Sequence, residues 1–239
     1  VSHDEPAIAS GVRVTSFWRT VFDCLTTLEF SEALLVADHA LRTRRISRAA
    51  MRGALLRRFS GHRGIGRALD ICAWAEPCAE SGGESIARAG MIRLGFALPR
   101  LQVELPDPID PARSFRVDYV WRDESRALIF GELDGGAKYT EKELTGEKSL
   151  DEVLGAEHER QTRLSVYRAR LIRFSFDEAR NLATLERKLT TYGVPRGTRP
   201  RLRSGIPTPP DDAWERITYL AQGTKVLLGQ RIRFTQEAA

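Results

Sequence analysis

Two runs of strand-forming residues, separated by a short polar turn, dominate the middle of the chain. The first run is RVDYVW (residues 116–121) and the second is ALIFGELD (127–134). Both are rich in β-branched and aromatic residues, and the polar residues between them favour a hairpin turn. Because side chains alternate across a strand, Glu132 and Asp134 share one face, and the hairpin brings Asp118 roughly opposite Glu132. The pattern therefore predicts three carboxylates at one edge of a sheet.

Three carboxylates at one sheet edge repel one another, and burying them without partners is costly. Mg²⁺ or Mn²⁺ removes both problems, since hard cations prefer oxygen ligands. Gly135 and Gly136 leave room for a substrate backbone, and Lys138 adds a positive charge beyond them. A metal, an acid and a cation are the groups that phosphodiester hydrolysis needs. The competing interpretation is an ordinary turn, with Asp118 exposed and an Asp-Gly pair beginning a loop.

Helical spacing of apolar residues characterises the first third of the chain. It predicts four helices, within residues 14–28, 30–44, 47–59 and 64–75. Thr15 or Ser16 is expected to cap the first helix, and Ser47 the third. No long strand-like alternation appears before residue 100.

The pattern changes after Pro77. It predicts in turn a helix ending near residue 95, strands at 101–105, 116–121 and 127–134, a helix at 156–169, a strand at 170–176 and a helix at 177–193. Residues 140–156 are expected to form a mobile loop with one helical turn. A Pro- and Gly-rich arm follows, with a short helix near 211–223. This order predicts an α+β fold in which helices cover a mixed sheet.

The positive charge of the chain is concentrated in one helical stretch. The net charge is +5, and no acidic residue lies between Asp38 and Asp70. That interval holds nine arginines, namely Arg42, Arg44, Arg45, Arg48, Arg52, Arg57, Arg58, Arg63 and Arg67. The stretch is either a solvated helix face or a patch that contacts nucleic-acid phosphates, since guanidinium groups match phosphate geometry. The phosphate contacts are predicted for Arg44, Arg45, Arg48, Arg57 and Arg58, and for Arg160 and Gln161 on the later helix.

Cysteine usage and hydropathy exclude several other classes. The three cysteines contain no C-x-x-C pair, so neither a disulfide framework nor a zinc site is expected. The sequence shows no signal peptide and no apolar run of 18 residues or more. We therefore expect a soluble, cytoplasmic protein that does not interact with membranes.

Four segments, VDYVW, GELDGGAKY, EHERQTRL and RLIRFSFDEA, together resemble the restriction-endonuclease-like PD-(D/E)XK fold. More narrowly, they are similar to the nuclease-like domain related to very-short-patch-repair endonucleases. That domain forms the C-terminal part of many actinobacterial proteins known as AbiEi-type antitoxins, or transcriptional regulators, of type IV toxin–antitoxin systems. The resemblance covers roughly residues 12–190. Together with the sequence patterns, it predicts a helical region at 1–76, the nuclease-like domain at 77–192 and a basic arm at 193–239.

The resemblance also implies roles for particular residues. Asp118 and Glu132 would hold Mg²⁺ or Mn²⁺, and Asp134 would be a third ligand or would orient water. Glu84 would lie behind the ligands or bind a second metal, and Lys138 would orient water or stabilise the transition state. Asp134 occupies the position at which the family usually has its lysine, so Lys138 would be a migrated replacement.

Two functions follow from the resemblance. The first is a Mg²⁺-dependent endonuclease that acts on DNA, with RNA less favoured as substrate. The second is a non-catalytic DNA-binding regulator or antitoxin that retains a nuclease-like fold. A toxin or a second copy of the chain is a possible partner in this second function. Members of the family usually carry an N-terminal winged helix, which would lie outside this sequence.

Overall fold

A computed structural model of the protein describes residues 7–110, 112–134 and 150–197. The described chain forms two compact units, the first ending at Ala89 and the second beginning at Gly90. Helices and a mixed four-stranded sheet are both present, so the predicted α+β class with a helical N-terminal region is confirmed. No helix within the described ranges is long and apolar enough to cross a membrane.

The first unit begins with a short hairpin and continues as helices. Its elements are β1 (Ala7–Ala9), β2 (Val12–Val14), α1 (Phe17–Thr27), α2 (Phe30–Arg44), α3 (Arg48–Phe59), α4 (Ile65–Trp74) and the first part of α5 (Gly82–Leu94). All four helices predicted before residue 76 are confirmed. The β1–β2 hairpin was not predicted, because strands of three residues are too short to show an alternating pattern.

Serine caps and an apolar core explain why these helices form. The Ser16 and Ser47 hydroxyls accept hydrogen bonds from the N–H groups of Arg19 and Ala50, both at 3.2 Å. Each bond satisfies one donor that the first helical turn leaves without a partner. Phe22 stacks on Phe59 with ring centroids 4.3 Å apart. Burial of each large apolar side chain contributes about 1.5–3 kcal/mol, which makes tertiary packing the main stabilising contribution.

The second unit is organised around the sheet. Its elements are the remainder of α5, β3 (Arg100–Pro106), β4 (Ser114–Arg122), β5 (Leu128–Asp134), α6 (Leu150–Ser165), β6 (Arg170–Ser175), α7 (Phe176–Arg180) and α8 (Leu182–Thr191). The strand order is β3-β4-β5-β6; the first three strands are antiparallel, and β6 runs parallel to β5.

Helix boundaries in this unit differ from those predicted. α6 begins at Leu150, six residues before the predicted start, so the expected loop does not extend to residue 156. The helix predicted over 177–193 is divided at Asn181, whose side chain accepts the N–H of Thr184 at 3.1 Å and caps α8. Residues 135–149 and those beyond 197 lie outside the described residues, and so do Lys138 and the segment predicted to form the C-terminal helix.

A tight turn and the close packing of the Trp121 ring on Gly131 define the β4–β5 hairpin. Asp123 accepts the N–H of Ala127 at 2.9 Å and closes the turn. Tyr119 pairs with Gly131, over which the Trp121 ring lies. A Cβ at Gly131 would stand 2.7 Å from that ring, so only glycine fits there without displacing it.

The helix α6 packs on the sheet face that carries Val120 and Phe130. Phe130 and Tyr167 are in edge contact, with ring centroids 6.1 Å apart, and Leu164 belongs to the same buried cluster. By strand alternation, Asp118, Val120 and Glu132 share this face. Asp118 and Glu132 therefore lie on the α6 side of the sheet.

An ion pair attaches α6 to the loop after β3. Arg163 Nη1 lies 2.5 Å from Asp107 Oδ2, and Asp107 also accepts the N–H groups of Ile109 and Asp110. Burial alone would raise the pKa of Asp107, but these donors outweigh it and hold the pKa below the ordinary value. Asp107 therefore stabilises the fold in its ionised form.

Candidate active site

The register of the β4–β5 hairpin brings Asp118 and Glu132 together. Tyr119 pairs with Gly131, so the next step along both strands places Asp118 opposite Glu132. Residues directly opposite in an antiparallel pair have Cβ atoms about 4.5–5.5 Å apart. The N–H of Leu133 donates to Asp118 Oδ2 at 3.0 Å, which joins the two strands at this point. The structure thus has the arrangement of these two carboxylates that the sequence predicts.

Asp118 is oriented by neutral donors. Besides Leu133, the Gln102 side-chain amide donates to Asp118 Oδ1 at 3.2 Å. Neither of these two donors carries a charge, and their bonds fix the direction of the carboxylate. Each carboxylate oxygen has two lone-pair directions, and carboxylates that bind metal ions are themselves usually hydrogen-bonded. The surroundings of Asp118 therefore suit a cation ligand.

Gln102 adopts an unusual backbone conformation next to Asp118. Its φ is +50° in the middle of β3, although it is not glycine and its side chain is buried. The ladder with β4 pairs Leu101 with Tyr119 and Val103 with Val117, on either side of this residue. A left-handed conformation costs a non-glycine residue about 1–2 kcal/mol. Such strain persists where the surrounding structure holds it, often at functional sites.

Glu132 is bound by two arginines from different elements. Arg160 on α6 donates through Nη2 to Glu132 Oε1. Arg173 on β6 donates through Nη2 to Oε2 at 3.1 Å, and the parallel register pairs it directly with Glu132. Glu132 is buried, and charge-assisted hydrogen bonds of this kind compensate for lost hydration. Both guanidinium groups keep about a quarter of their side-chain surface exposed.

Further contacts hold the two arginines. Arg160 Nη2 also donates to the main-chain carbonyl of Arg116 on β4, at 2.9 Å. The carbonyl of Arg173 accepts Lys188 Nζ at 2.7 Å, and Lys188 forms an ion pair with Glu178 at the same distance. This lysine is the main reason that the pKa of Glu178 lies below its ordinary value. The backbone of Arg173 is thereby anchored to α8.

The other residues predicted for the site have different surroundings. Asp134 is half-buried two positions beyond Glu132 and pairs with Ser175 in the parallel ladder. Glu84 lies in the first turn of α5, where its carboxylate accepts the N–H of Glu80 at 3.0 Å and the hydroxyl of Ser81 at 2.8 Å. Within residues 7–110, 112–134 and 150–197, no three His, Cys, Asp or Glu side chains form a group that could hold a metal ion.

Two residues of the cluster were not identified from the sequence, namely Gln102 and Arg173. Each is a polar residue between two apolar neighbours, Leu101 and Val103 for Gln102 and Ile172 and Phe174 for Arg173. The same signal drew attention to Glu132 after ALIFG. Applied evenly to all strands, it would have identified both residues, although not their partners.

The arginine-rich stretch lies in the first unit and has mixed surroundings. Arg44 and Arg45 are exposed at the end of α2, and the Arg44 guanidinium lies 4.0 Å from the centroid of the Phe17 ring. Arg57 is exposed on α3, and Arg58 lies 5.6 Å from the Trp18 ring. Stacking on a ring leaves the edge of a guanidinium able to bind phosphate. A role for these four residues in nucleic-acid binding remains a prediction.

Other arginines of that stretch bind main-chain carbonyls. Arg42 donates to Ala79 at 2.5 Å, and Arg67 donates to Leu25 at 3.1 Å, near the end of α1. Arg48 reaches the carbonyl of Ala73 at 3.4 Å. Part of the positive charge therefore stabilises the helical unit itself. On α6, Gln161 is half-buried next to Arg160.

Comparison with known proteins identifies relatives of unknown activity. No protein-family model matches the chain, and no solved structure matches it. Two curated relatives are uncharacterized proteins of Mycobacterium tuberculosis, one from strain CDC 1551 / Oshkosh and one from strain ATCC 25618 / H37Rv. Each is 34% identical over 125 residues, which is 52% of this chain and 45% of the relative. The chain thus spans less than half the length of the curated relatives it matches, and its similarity is to mycobacterial proteins without a known function.

Proposed function

We propose that the protein is a Mg²⁺-dependent nuclease that hydrolyses phosphodiester bonds of DNA. The observation that carries the proposal is the position of Asp118 opposite Glu132, with two guanidinium groups in the same cluster. Oxygen ligands for a hard cation and donors for a phosphate thus occur side by side. The resemblance of GELDGGAKY and its neighbouring segments to a nuclease-like domain supports the same conclusion.

The charges of the cluster favour a cation and a phosphodiester bound together. Asp118 and Glu132 carry −2, Arg160 and Arg173 carry +2, and the sum is zero. A divalent cation would change the sum to +2, or to +1 with Asp134 included. A phosphodiester, with one negative charge, would then be attracted. Without the cation, these four side chains by themselves offer a phosphate little net attraction.

Roles for the residues follow from their surroundings. Asp118 and Glu132 would hold the cation, and Asp134, on the same strand face, would orient water. A bound Mg²⁺ supplies Lewis-acid polarisation of a phosphoryl oxygen and lowers the pKa of bound water. Gln102 orients Asp118 through its amide, which keeps this carboxylate in position while substrate enters. Lys138 is proposed to stabilise the developing negative charge.

A second candidate function is a DNA-binding regulator without catalysis, such as an antitoxin-like repressor. The ion pairs of Glu132 with Arg160 and Arg173 favour it, because they satisfy this carboxylate without a metal. In this function the cluster fastens α6 to the sheet and links β6 to its neighbour β5. DNA would still be the ligand, with a toxin or a second copy of the chain as partner.

A plasmid-nicking assay with Mg²⁺ or Mn²⁺ separates the two functions. Asp118→Asn and Glu132→Gln keep the shape of each side chain and remove its charge, so each should lower the rate by about a hundredfold or more. Glu124→Gln removes an exposed carboxylate from the same hairpin and should leave the rate unchanged. Wild-type rates in either site variant would contradict the nuclease assignment. DNA binding without nicking by the wild-type protein would favour the regulator.

A further inference from the structure

Glu132 is the point at which the proposed cation site and the arginine cluster overlap. Both of its carboxylate oxygens accept hydrogen bonds from guanidinium groups, one from Arg160 and one from Arg173. A divalent cation that binds the same carboxylate would stand close to two positive charges and repel them. At least one arginine is therefore expected to leave Glu132 when the cation binds.

The structure distinguishes the two arginines by how they are held. Arg173 belongs to β6, is paired in register with Glu132, and has its carbonyl fixed by Lys188. Arg160 reaches Glu132 from α6, a different layer of the unit, through a long side chain with several rotatable bonds. Its second acceptor is the carbonyl of Arg116, on the strand that carries Asp118. The ladders that join β4, β5 and β6 are formed by main-chain pairs, so they do not depend on the contact of Arg160 with Glu132.

We propose that Arg160 and the divalent cation are alternative partners of Glu132, and that the displaced Arg160 binds the phosphodiester of the substrate. This inference rests on the proposed nuclease function. A guanidinium presents two parallel N–H donors to a phosphate as it does to a carboxylate, so the same side chain serves both acceptors. Arg160 then prevents tight cation binding in the absence of substrate and contacts phosphate when both are present.

Calorimetric titration of the full chain with Mn²⁺ tests the competition. Arg160→Gln removes the competing charge, so Mn²⁺ should bind about tenfold more tightly than to the wild type. Arg187→Gln removes one exposed positive charge from α8 and is the matched control, with the wild-type affinity expected. Equal affinity in Arg160→Gln and the wild type would show that Arg160 fastens α6 and does not compete with a cation.

The salt dependence of DNA binding tests whether Arg160 moves from Glu132 to a phosphate of the substrate. The affinity for a short DNA duplex is measured at several salt concentrations with Ca²⁺ present. The slope of log affinity against log salt should be steeper by about 0.9 for the wild type than for Arg160→Gln, which corresponds to one phosphate contact. With EDTA in place of Ca²⁺, the two slopes should agree, because Arg160 then stays on Glu132. Equal slopes in Ca²⁺ would overturn the transfer.

A second variant covers the case in which Arg160→Gln does not fold. Arg160→Lys keeps the positive charge but lacks the forked geometry that grips a carboxylate. It should bind Mn²⁺ more tightly than the wild type and keep the wild-type salt slope in Ca²⁺. A Mn²⁺ affinity at or below that of the wild type would overturn the inference.

The nuclease proposal and this inference fail in different ways. If the wild type neither binds Mn²⁺ nor nicks DNA, and Arg160→Gln does not bind Mn²⁺ either, the proposed function is wrong and the inference falls with it. If the wild type nicks DNA and Asp118→Asn does not, while Arg160→Gln shows wild-type Mn²⁺ affinity and slope, only the inference is wrong.

Discussion

The two units each contain a buried carboxylate bound by arginine, but the two clusters are built differently. In the first unit, Asp38 and Arg88 form a pair at 2.9 Å, with side chains 1% and 5% exposed. In the second, Glu132 is 10% exposed, and its two arginines are 25% and 28% exposed. The first cluster is closed to water, and the second is accessible from outside.

The hydrogen-bond donors around Asp38 and Glu132 also differ in charge. Asp38 accepts one guanidinium, the Ser85 hydroxyl and the N–H of Glu76, the last two at 2.7 Å. Its negative charge is matched by one positive charge, and its oxygens are enclosed by protein donors. Glu132 alone accepts two guanidinium groups, so its own ion-pair partners carry one positive charge more than its carboxylate balances. We infer from this difference that the Asp38 cluster stabilises the helical unit and that the Glu132 cluster can exchange partners.

The largest expected effect comes from opening the closed cluster. Arg88→Ala leaves the Asp38 carboxylate buried without its opposite charge, which costs about 3–5 kcal/mol of folding stability. Burial already raises the pKa of Asp38, and Arg88 offsets part of that rise. Denaturant titration monitored by circular dichroism measures the loss. Arg93→Ala, an exposed change on the same helix, is the control and should cost less than 1 kcal/mol. A loss of similar size in both variants would remove the distinction between the clusters.

This contrast also shows what the sequence can predict. Strand alternation predicts that Glu132 and Asp134 share a face and that Asp118 lies opposite Glu132, because these relations depend on neighbours in the chain. The partners of Glu132 are 28 and 41 residues away, on a helix and on a parallel strand. No local pattern encodes such pairings, so Arg160 was predicted to contact phosphate and Arg173 was not singled out.

Two further differences between prediction and structure concern Asn181 and Gln102. The predicted helix over 177–193 has helical spacing throughout, but Asn181 favours a cap over a helix interior because its side chain bonds nearby N–H groups. The strand pattern LQVEL gives no sign of the positive φ of Gln102, whose side chain donates to Asp118 in the structure. Helical spacing is a weak prior, and the local cap overrides it at Asn181.

A smaller effect is expected from the accessible cluster. Glu132→Gln leaves Arg160 and Arg173 without a carboxylate, but both are partly exposed and gain hydration in return. The expected cost in stability is about 1 kcal/mol or less. The same denaturant titration checks this value. A cost equal to that of Arg88→Ala would mean that Glu132 is a structural ion pair like Asp38, and the case for a cation at this position would weaken.

The smallest expected effect is a pH dependence of folding stability that arises from Asp107 in the second unit. Asp107 is as buried as Asp38, but its pKa is shifted in the opposite direction. Arg163 and two main-chain N–H groups hold the pKa of Asp107 below the ordinary value, about 3.9, that it has in the unfolded chain. A lowered pKa contributes stability that is present above the unfolded value and is lost as pH falls through the folded value.

Asp107→Asn should therefore destabilise the protein at pH 7, and its difference from the wild type should shrink as pH falls below about 4. Denaturant midpoints measured between pH 7 and pH 2 give this difference directly. Glu124→Gln, exposed in the β4–β5 hairpin, should show no such trend. A difference between Asp107→Asn and the wild type that stays constant over the whole range would contradict a charged role for Asp107. The contact with α6 would then depend on the shape of its hydrogen bonds, and the acid sensitivity of this unit would have to arise at other carboxylates, such as Asp123 and Glu178, whose pKa values are also lowered.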